Sequence, residues 1–318
     1  MRYRAILAAI AAALTLASCG GNDNAPSSSA AGTIKRDPAN ASKPTITIGS
    51  KNFTEEFILG EIYAQALQAA GYRVKKQLNL GSEQIAYKAL RGGQVDAYPE
   101  YTGTALTSFF KVQTKDVPHD ARRAWQEAKA KFAAAGLTAL PPTPFTDSNG
   151  FAMTQTGAKK AGGATKLSDL AGKAPRLVLA GPPECRQRLD CKLGLEQVYG
   201  LHFKRFIPVD LAKRHQVLTQ GQADVSLVFT TDGQIKADKL VLLADDKKLF
   251  PPYNATLVVR DATLLRAGPD FAKVVAQVQK GLTTPVMQEL NSRVDLDKET
   301  PANAASDYLQ QFDLVSTG

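Results

Sequence analysis

The sequence predicts an α/β protein of two lobes, each built on a mostly parallel sheet, with a ligand cleft between the lobes. Two observations carry this. First, short apolar strands such as Ile46-Thr47-Ile48-Gly49-Ser50 and Leu177-Val178-Leu179-Ala180-Gly181 are each succeeded by a helical stretch. Second, the segments downstream of these two strands echo one another. Gly71-Tyr72-Arg73-Val74-Lys75-Lys76-Gln77-Leu78 is matched by Gly200-Leu201-His202-Phe203-Lys204-Arg205-Phe206-Ile207, and Gly93-Gln94-Val95-Asp96 by Gly221-Gln222-Ala223-Asp224. From Ile46 to Gly71 and from Gly71 to Asp96 are 25 residues each; from Leu177 to Gly200 and from Gly200 to Asp224 are 23 and 24. Two lobes of like topology are all that such a repeat requires. Strands alternating with helices imply sheets covered on both faces, with ligands bound beyond the carboxyl ends of the strands.

The amino terminus sets the compartment. Arg2 and Arg4 precede an apolar run from residue 5 to 16, then Ala17 and Ser18 lead into Cys19. Residues 1–18 read as a secretory signal peptide, too short and wrongly flanked for a transmembrane helix. Leu16-Ala17-Ser18-Cys19 resembles a bacterial lipobox, which implies cleavage before Cys19 and lipidation of its thiol. Residues 19–43 read as a flexible tether, since they hold too little apolar surface to offset the entropy of ordering. No other segment approaches ~18 uninterrupted apolar residues. Membrane contact is therefore expected through the lipid alone, with the folded part outside the cytoplasm.

The formal net charge of +9 falls to +7 once Arg2 and Arg4 are removed. Its basic residues are spread thinly, without an aromatic-interleaved cluster, which argues against nucleic acid as a partner. Cys185 and Cys191 remain as an even number in an oxidising compartment, so a disulfide closing a small loop is expected. No second Cys or His pair has metal-ligand spacing, and no metal is expected.

Residues 44–148 with 250–318 should form the first lobe, and residues 149–249 the second. The chain crosses near Ser148-Asn149-Gly150 and returns near Leu249-Phe250-Pro251-Pro252-Tyr253, where prolines punctuate a new strand over residues 256–260. Residues 272–282 and 285–291 read as helices packing back on the first lobe of a monomer.

The loops facing the cleft supply the candidate site. Asn52, with Glu55 three residues on, reads as the cap of a helix whose apolar face is Phe57, Ile58, Ile62, Ala66 and Ala70. Its free backbone N–H groups would attract a carboxylate, with contact from Asn52 as an addition to capping. Ser82 has the same double reading for the next helix. Tyr98 and Tyr101 surround a proline directly after a buried strand, where core packing does not demand phenols. A trimethylammonium group has no N–H to donate and is held by ring faces, each worth about 0.5–2 kcal/mol. At least one of the two tyrosines is expected to pack between helices instead.

Three segments, Ile48-Gly49-Ser50-Lys51-Asn52-Phe53-Thr54-Glu55, Asn79-Leu80-Gly81-Ser82 and Tyr98-Pro99-Glu100-Tyr101-Thr102-Gly103-Thr104, resemble the signature loops of the osmoprotectant-binding proteins of ABC transporters. Thr231-Asp232-Gly233-Gln234-Ile235 and Phe250-Pro251-Pro252-Tyr253 resemble that family's second-half motifs, and the similarity runs in order over residues 46–309. It implies a type II periplasmic-binding-protein fold and hinge closure on a quaternary-ammonium solute such as glycine betaine or choline. It also implies delivery to an ABC permease, with no cofactor. By the same resemblance Tyr98 matches a cage tyrosine, and Phe229 stands where relatives often carry tyrosine, keeping the ring face without the hydroxyl. Gly150 falls where another tyrosine is common, and Glu56 replaces a frequent glutamine. The expected ligand-binding residues are Asn52, Glu56, Ser82, Tyr98, Tyr101, Asn149, Phe229, Thr230 and Asp232, a thinner and more acidic cage than that of the best-known members.

Two alternatives keep the fold. An enzyme finds little support: His119, His202 and His215 are isolated, and there is no nucleophile elbow, phosphate loop or zinc motif. Glu55-Glu56 and Asp245-Asp246 fit solvated surface better than acid/base pairs, and fold alone is no evidence of function. An amino-acid-binding protein is the other alternative. The Tyr98 region argues against it, although Arg186 or Arg188 could approach the cleft from the Cys185 loop.

Overall fold

The computed structural model describes residues 32–316. Cys19 and the proposed signal peptide lie outside the described residues. Two five-stranded sheets are present among them. The first contains β1 (Ile46–Gly49), β2 (Val74–Gln77), β3 (Ala97–Tyr101), β4 (Leu137–Ala139) and β10 (Ala255–Arg260), in the order β2-β1-β3-β10-β4. The second contains β5 (Asn149–Met153), β6 (Val178–Gly181), β7 (Arg205–Pro208), β8 (Val225–Phe229) and β9 (Val241–Leu243), in the order β7-β6-β8-β5-β9. The orders correspond strand for strand, so the faint sequence repeat is a repeat of topology.

The sheets are mixed. β1 runs parallel to β2 and β3, and β6 parallel to β7 and β8. β10 is antiparallel to β3 and β4, and β5 to β8 and β9. These two strands carry the chain into the second lobe and back, so each runs against the part of its sheet that helical crossovers build.

The repeated Gly-Gln-x-Asp segments do the same work in both lobes. Gly93 (φ 75°) and Gly221 (φ 69°) take the left-handed conformation that turns the chain after a helix. Asp96 then pairs twice with Thr47: its N–H donates to the Thr47 carbonyl at 2.8 Å, and its Oδ2 accepts from the Thr47 N–H at 2.8 Å. Asp224 repeats this with Val178 at 2.9 and 2.7 Å. Each side chain extends the short pairing between the first and third strands of its sheet by one clamp.

Helix α1 (Thr54–Ala69) is the spine of the first lobe, with Ile58, Leu59, Ile62, Tyr63, Ala66 and Leu67 buried. The helices Pro269–Gln279, Thr284–Asp295 and Pro301–Gln311 pack against it. The described part of the tether departs from expectation. Residues 32–43 are held to the first lobe: the Ile34 N–H donates to the Leu314 carbonyl, the Asp37 N–H and Asn40 Nδ2 both donate to the Ala70 carbonyl, and the Ile34 side chain joins the core. Backbone bonding and one apolar anchor order a segment whose composition reads as coil.

If the Asp224 clamp holds the second sheet, Asp224→Ala lowers the unfolding free energy by about 1–3 kcal/mol, the usual loss when a carboxylate that accepts a backbone hydrogen bond is removed. Urea unfolding followed by circular dichroism measures it.

Candidate functional site

A cleft opens between the lobes at the carboxyl ends of β1, β3, β6 and β8, and encloses about 490 Å³ free of protein atoms, its open side included. Lys51, Asn52 and Phe53 reach it from the loop after β1, Ser82 and Glu83 from the start of α2 (Glu83–Arg91), and Tyr101 from the end of β3. The second lobe contributes Glu184 and Arg188 from the loop after β6, and Phe229 from β8. Asp147, Asn149 and Tyr253 come from the two crossings. Strand ends supply these side chains because the backbone leaves its ladder there and side chains turn into the gap between the sheets.

An aromatic row runs across the cleft. Tyr101 stacks on Phe53 with ring centroids 6.2 Å apart, and Phe53 meets Phe229 of the second lobe at 5.2 Å. Cations of the protein lie at both ends. Lys51 Nζ sits 4.3 Å from the Tyr101 ring centroid, and the Arg214 guanidinium 4.6 Å from that of Phe229. Lys51 also contacts Glu100 Oε1 at 2.6 Å and Glu56 Oε1 at 3.5 Å. Burial opposes the lysine's charge, but these carboxylates hold its pKa above the ordinary value.

The first turn of α1 carries two buried acids, contrary to the expectation that Glu55 and Glu56 are solvated. Thr231 of the second lobe lies against Glu55 and Lys51 lies over Glu56, so neither reaches water. Glu56 Oε2 accepts the Lys51 N–H at 2.9 Å. Burial raises its pKa to about 8 in spite of Lys51. Glu55 accepts from the Tyr101 hydroxyl at 2.7 Å and from Asn291 Nδ2 at 2.9 Å. The Thr231 hydroxyl lies 2.6 Å from Glu55 Oε2 and 2.7 Å from Asp147 Oδ1. One hydroxyl hydrogen serves only one of these carboxylates at a time, so the two buried acids compete for a single donor. Burial, and then the mutual repulsion of Glu55, Asp147 and Asp232, raises the pKa values of both Glu55 and Asp147.

In the second lobe Asp190 is a buried hub. It accepts Arg188 Nε and Nη2 at 2.8 and 2.7 Å and the Tyr253 hydroxyl at 2.5 Å, while its carbonyl accepts Asn149 Nδ2 at 3.0 Å. Burial acts against its charge, but Arg188 and these hydrogen bonds hold its pKa below the usual carboxylate range. Arg188 Nη1 lies 3.7 Å from Glu83 of the first lobe. The loop that presents this pair is closed by a disulfide between Cys185 and Cys191.

Of the residues expected from sequence, Asn52, Ser82, Tyr101, Asn149 and Phe229 line the cleft. Glu56 lies behind its wall, under Lys51. Tyr98 is fully buried in an apolar cluster with Ala86, Leu90, Leu106 and Val258, its hydroxyl donating to Glu100 Oε2 at 2.7 Å. Strand alternation puts Tyr98 and Tyr101 on opposite faces of β3, and only Tyr101 is on the cleft side. Thr230 Oγ1 accepts the Ser148 N–H at the crossing, and Asp232 is committed to Arg214, His215 and the Phe229 N–H. Asn52 does not cap α1; Phe53 holds that position, without a side-chain bond. Ser82 holds the cap position of α2, also without a side-chain bond. Phe53, Asp147 and Tyr253 line the cleft without having been expected there, and Arg188 lines it as one of the two arginines that could approach from the Cys185 loop. Phe53 and Tyr253 sit inside the Ile48–Glu55 and Phe250–Tyr253 motifs. Only proximity to the Cys185 loop pointed to Arg188.

Among the described residues no group of His, Cys, Asp or Glu side chains is arranged to hold a metal ion, and no helix is long and apolar enough to cross a membrane. Residues 44–311 match the family model for the substrate binding domain of ABC-type glycine betaine transport systems. A glycine-betaine-binding protein of Pseudomonas aeruginosa is 36% identical over 289 residues, covering 87% of this chain and 91% of that protein. A carnitine transport binding protein of Listeria monocytogenes is 30% identical over 280 residues, covering 85% and 88%. The crystal structure of a glycine betaine/carnitine/choline ABC transporter protein aligns with a TM-score of 0.66 at 27% identity, covering 84% of this chain and 98% of that one. With its two-lobed α/β fold, interlobe cleft and family match across nearly the whole described region, the chain belongs to the substrate-binding domains of ABC-type glycine betaine transport systems.

Proposed function

We propose that this chain captures a zwitterionic quaternary-ammonium solute, glycine betaine or a close relative, outside the cytoplasm and delivers it to an ABC permease, tethered to the membrane through a lipidated Cys19. One observation carries the choice of a zwitterion: the cleft sets aromatic rings beside two cations already paired with acids. Phe53, Tyr101, Phe229 and Tyr253 offer ring surface to a trimethylammonium group. Lys51 and Arg188 offer N–H donors to a carboxylate. The acids of the lining are weaker counter-charges than their number suggests, because burial favours the neutral form of Asp147 and raises the pKa of Glu184. A plain cation would meet only the rings and make no use of the N–H donors that Lys51 and Arg188 bring to the cleft. The names of the Pseudomonas and Listeria relatives support the same class of solute.

Calorimetric titration of the protein with glycine betaine, carnitine, choline and a panel of amino acids tests this. Saturable binding of glycine betaine or carnitine, tighter than that of choline, is the expected result; binding of amino acids alone would overturn it. Tyr101→Ala should weaken binding at least about tenfold, the equivalent of one lost ring face. Tyr98→Phe, off the cleft, should change it less than about threefold.

The buried acids predict a pH dependence of stability. The pKa of Glu56 rises from 4.5 in the unfolded chain to about 8 in the folded one. Its neutral form therefore favours the fold below pH 4.5, and that contribution is lost as pH rises through 8. Glu56→Gln keeps the shape and removes the titration. The variant should match the wild type in melting temperature near pH 5 and exceed it at pH 9, and a constant difference between the two pH values would count against a neutral Glu56.

A further inference from the structure

Arg188 reaches the cleft, with Asp190 buried behind it, from a loop whose ends are covalently joined. Cys185 and Cys191 are both buried in the core of the second lobe, and Arg188 stands midway between them. The loop has little freedom. The Cys191 N–H donates to the Arg188 carbonyl at 3.2 Å, and the Gln187 N–H to the Glu184 carbonyl at 3.0 Å. Its backbone also rests directly on the next helix, Lys192–Tyr199: a Cβ added at Gly194 would lie 1.9 Å from the Leu189 carbonyl oxygen. The guanidinium is then oriented by Asp190, which takes Nε and Nη2 and leaves Nη1 directed toward Glu83 across the lobe boundary. Arg188, Glu83 and Glu184 also separate the cleft from a second polar cavity lined by Thr107, Lys111 and Gln187. A loop free to shift would let Arg188 swing out of the cleft into that space.

We infer that the Cys185–Cys191 disulfide is a positioning element of the binding site: it holds Arg188 where the anionic end of a solute arrives, and so sets the preference for zwitterions over plain cations. This rests on the carboxylate-recognising role given to Arg188 under the proposed function. A disulfide that served stability alone would loosen the whole lobe when lost, and affect every solute alike. A positioning disulfide acts through Arg188, and its loss is felt only by solutes that carry a carboxylate.

The test compares glycine betaine with choline, which lacks the carboxylate, by calorimetry at a temperature well below unfolding. Four forms of the protein are used: the oxidised wild type; Cys185→Ser with Cys191→Ser; Arg188→Met with Asp190→Asn, which removes both charges of the pair and leaves neither buried alone; and all four substitutions together. Loss of the disulfide is expected to raise the Kd for glycine betaine at least about tenfold and that for choline less than about threefold, since one misplaced charge-assisted contact is worth roughly that factor. The Arg188/Asp190 variant should show the same selectivity change. The combined variant should be no worse than either alone, because both act on one group. Equal weakening of both solutes, additive effects, or a lower melting temperature with unchanged affinities would overturn the inference. If the serine variant fails to fold, Cys185→Ala with Cys191→Val, which puts apolar side chains at the two buried positions and is checked by circular dichroism, gives the same comparison. If the oxidised wild type bound none of glycine betaine, carnitine and choline, the proposed function would fall instead, and this inference with it.

Discussion

Two lobes of this protein meet along a boundary lined with charges, and a charge withdrawn from water must find its partner inside the protein. That constraint organises the cleft. Lys51 is balanced by Glu100, Arg188 by Asp190 and Glu83, and Arg214 by Asp232. Among the described residues, Glu55 and Asp147 have no cation at hydrogen-bond distance. They are satisfied by hydroxyl and amide donors. A solute with both charges can join these pairs without leaving one of them broken.

The fold was legible where it depends on periodicity and punctuation. The strands after residues 46 and 177, the glycine turns at Gly93 and Gly221 and the paired Asp96 and Asp224 arise from local pattern, and the structure gives the two aspartates the same task. Strand direction was less legible, because the antiparallel placement of β5 and β10 depends on where the chain crosses between lobes rather than on any residue in them. Residues 32–43 misled for a related reason. Their composition is that of a coil, and what orders them is backbone bonding to Ala70 and Leu314, which leaves no compositional trace.

The site was legible by loop and not by side chain. Tyr98 and Tyr101 differ by an odd number of positions in one strand, so alternation separates them; which face is the cleft depends on the sheet around them. Glu55 and Glu56 resemble ordinary first-turn acids favoured by a helix dipole, and tertiary contacts bury them, Thr231 of the opposite lobe against Glu55 and Lys51 of the same lobe over Glu56. Arg188 and Asp190 lie in a loop without periodicity, and their pairing is a fact of three dimensions.

The aromatic row has a mechanical meaning. Lys51, Tyr101 and Phe53 belong to one lobe, while Phe229 and Arg214 belong to the other, so separating the lobes breaks the row at a single joint, the contact of Phe53 with Phe229. Each cation keeps its own ring on either side of that joint. The parting surface therefore runs, at this point, between two phenyl rings that share no directional bond. Such a contact tolerates sliding and re-forms without registering hydrogen bonds, and its strength tracks the hydrophobic effect, falling as the temperature drops.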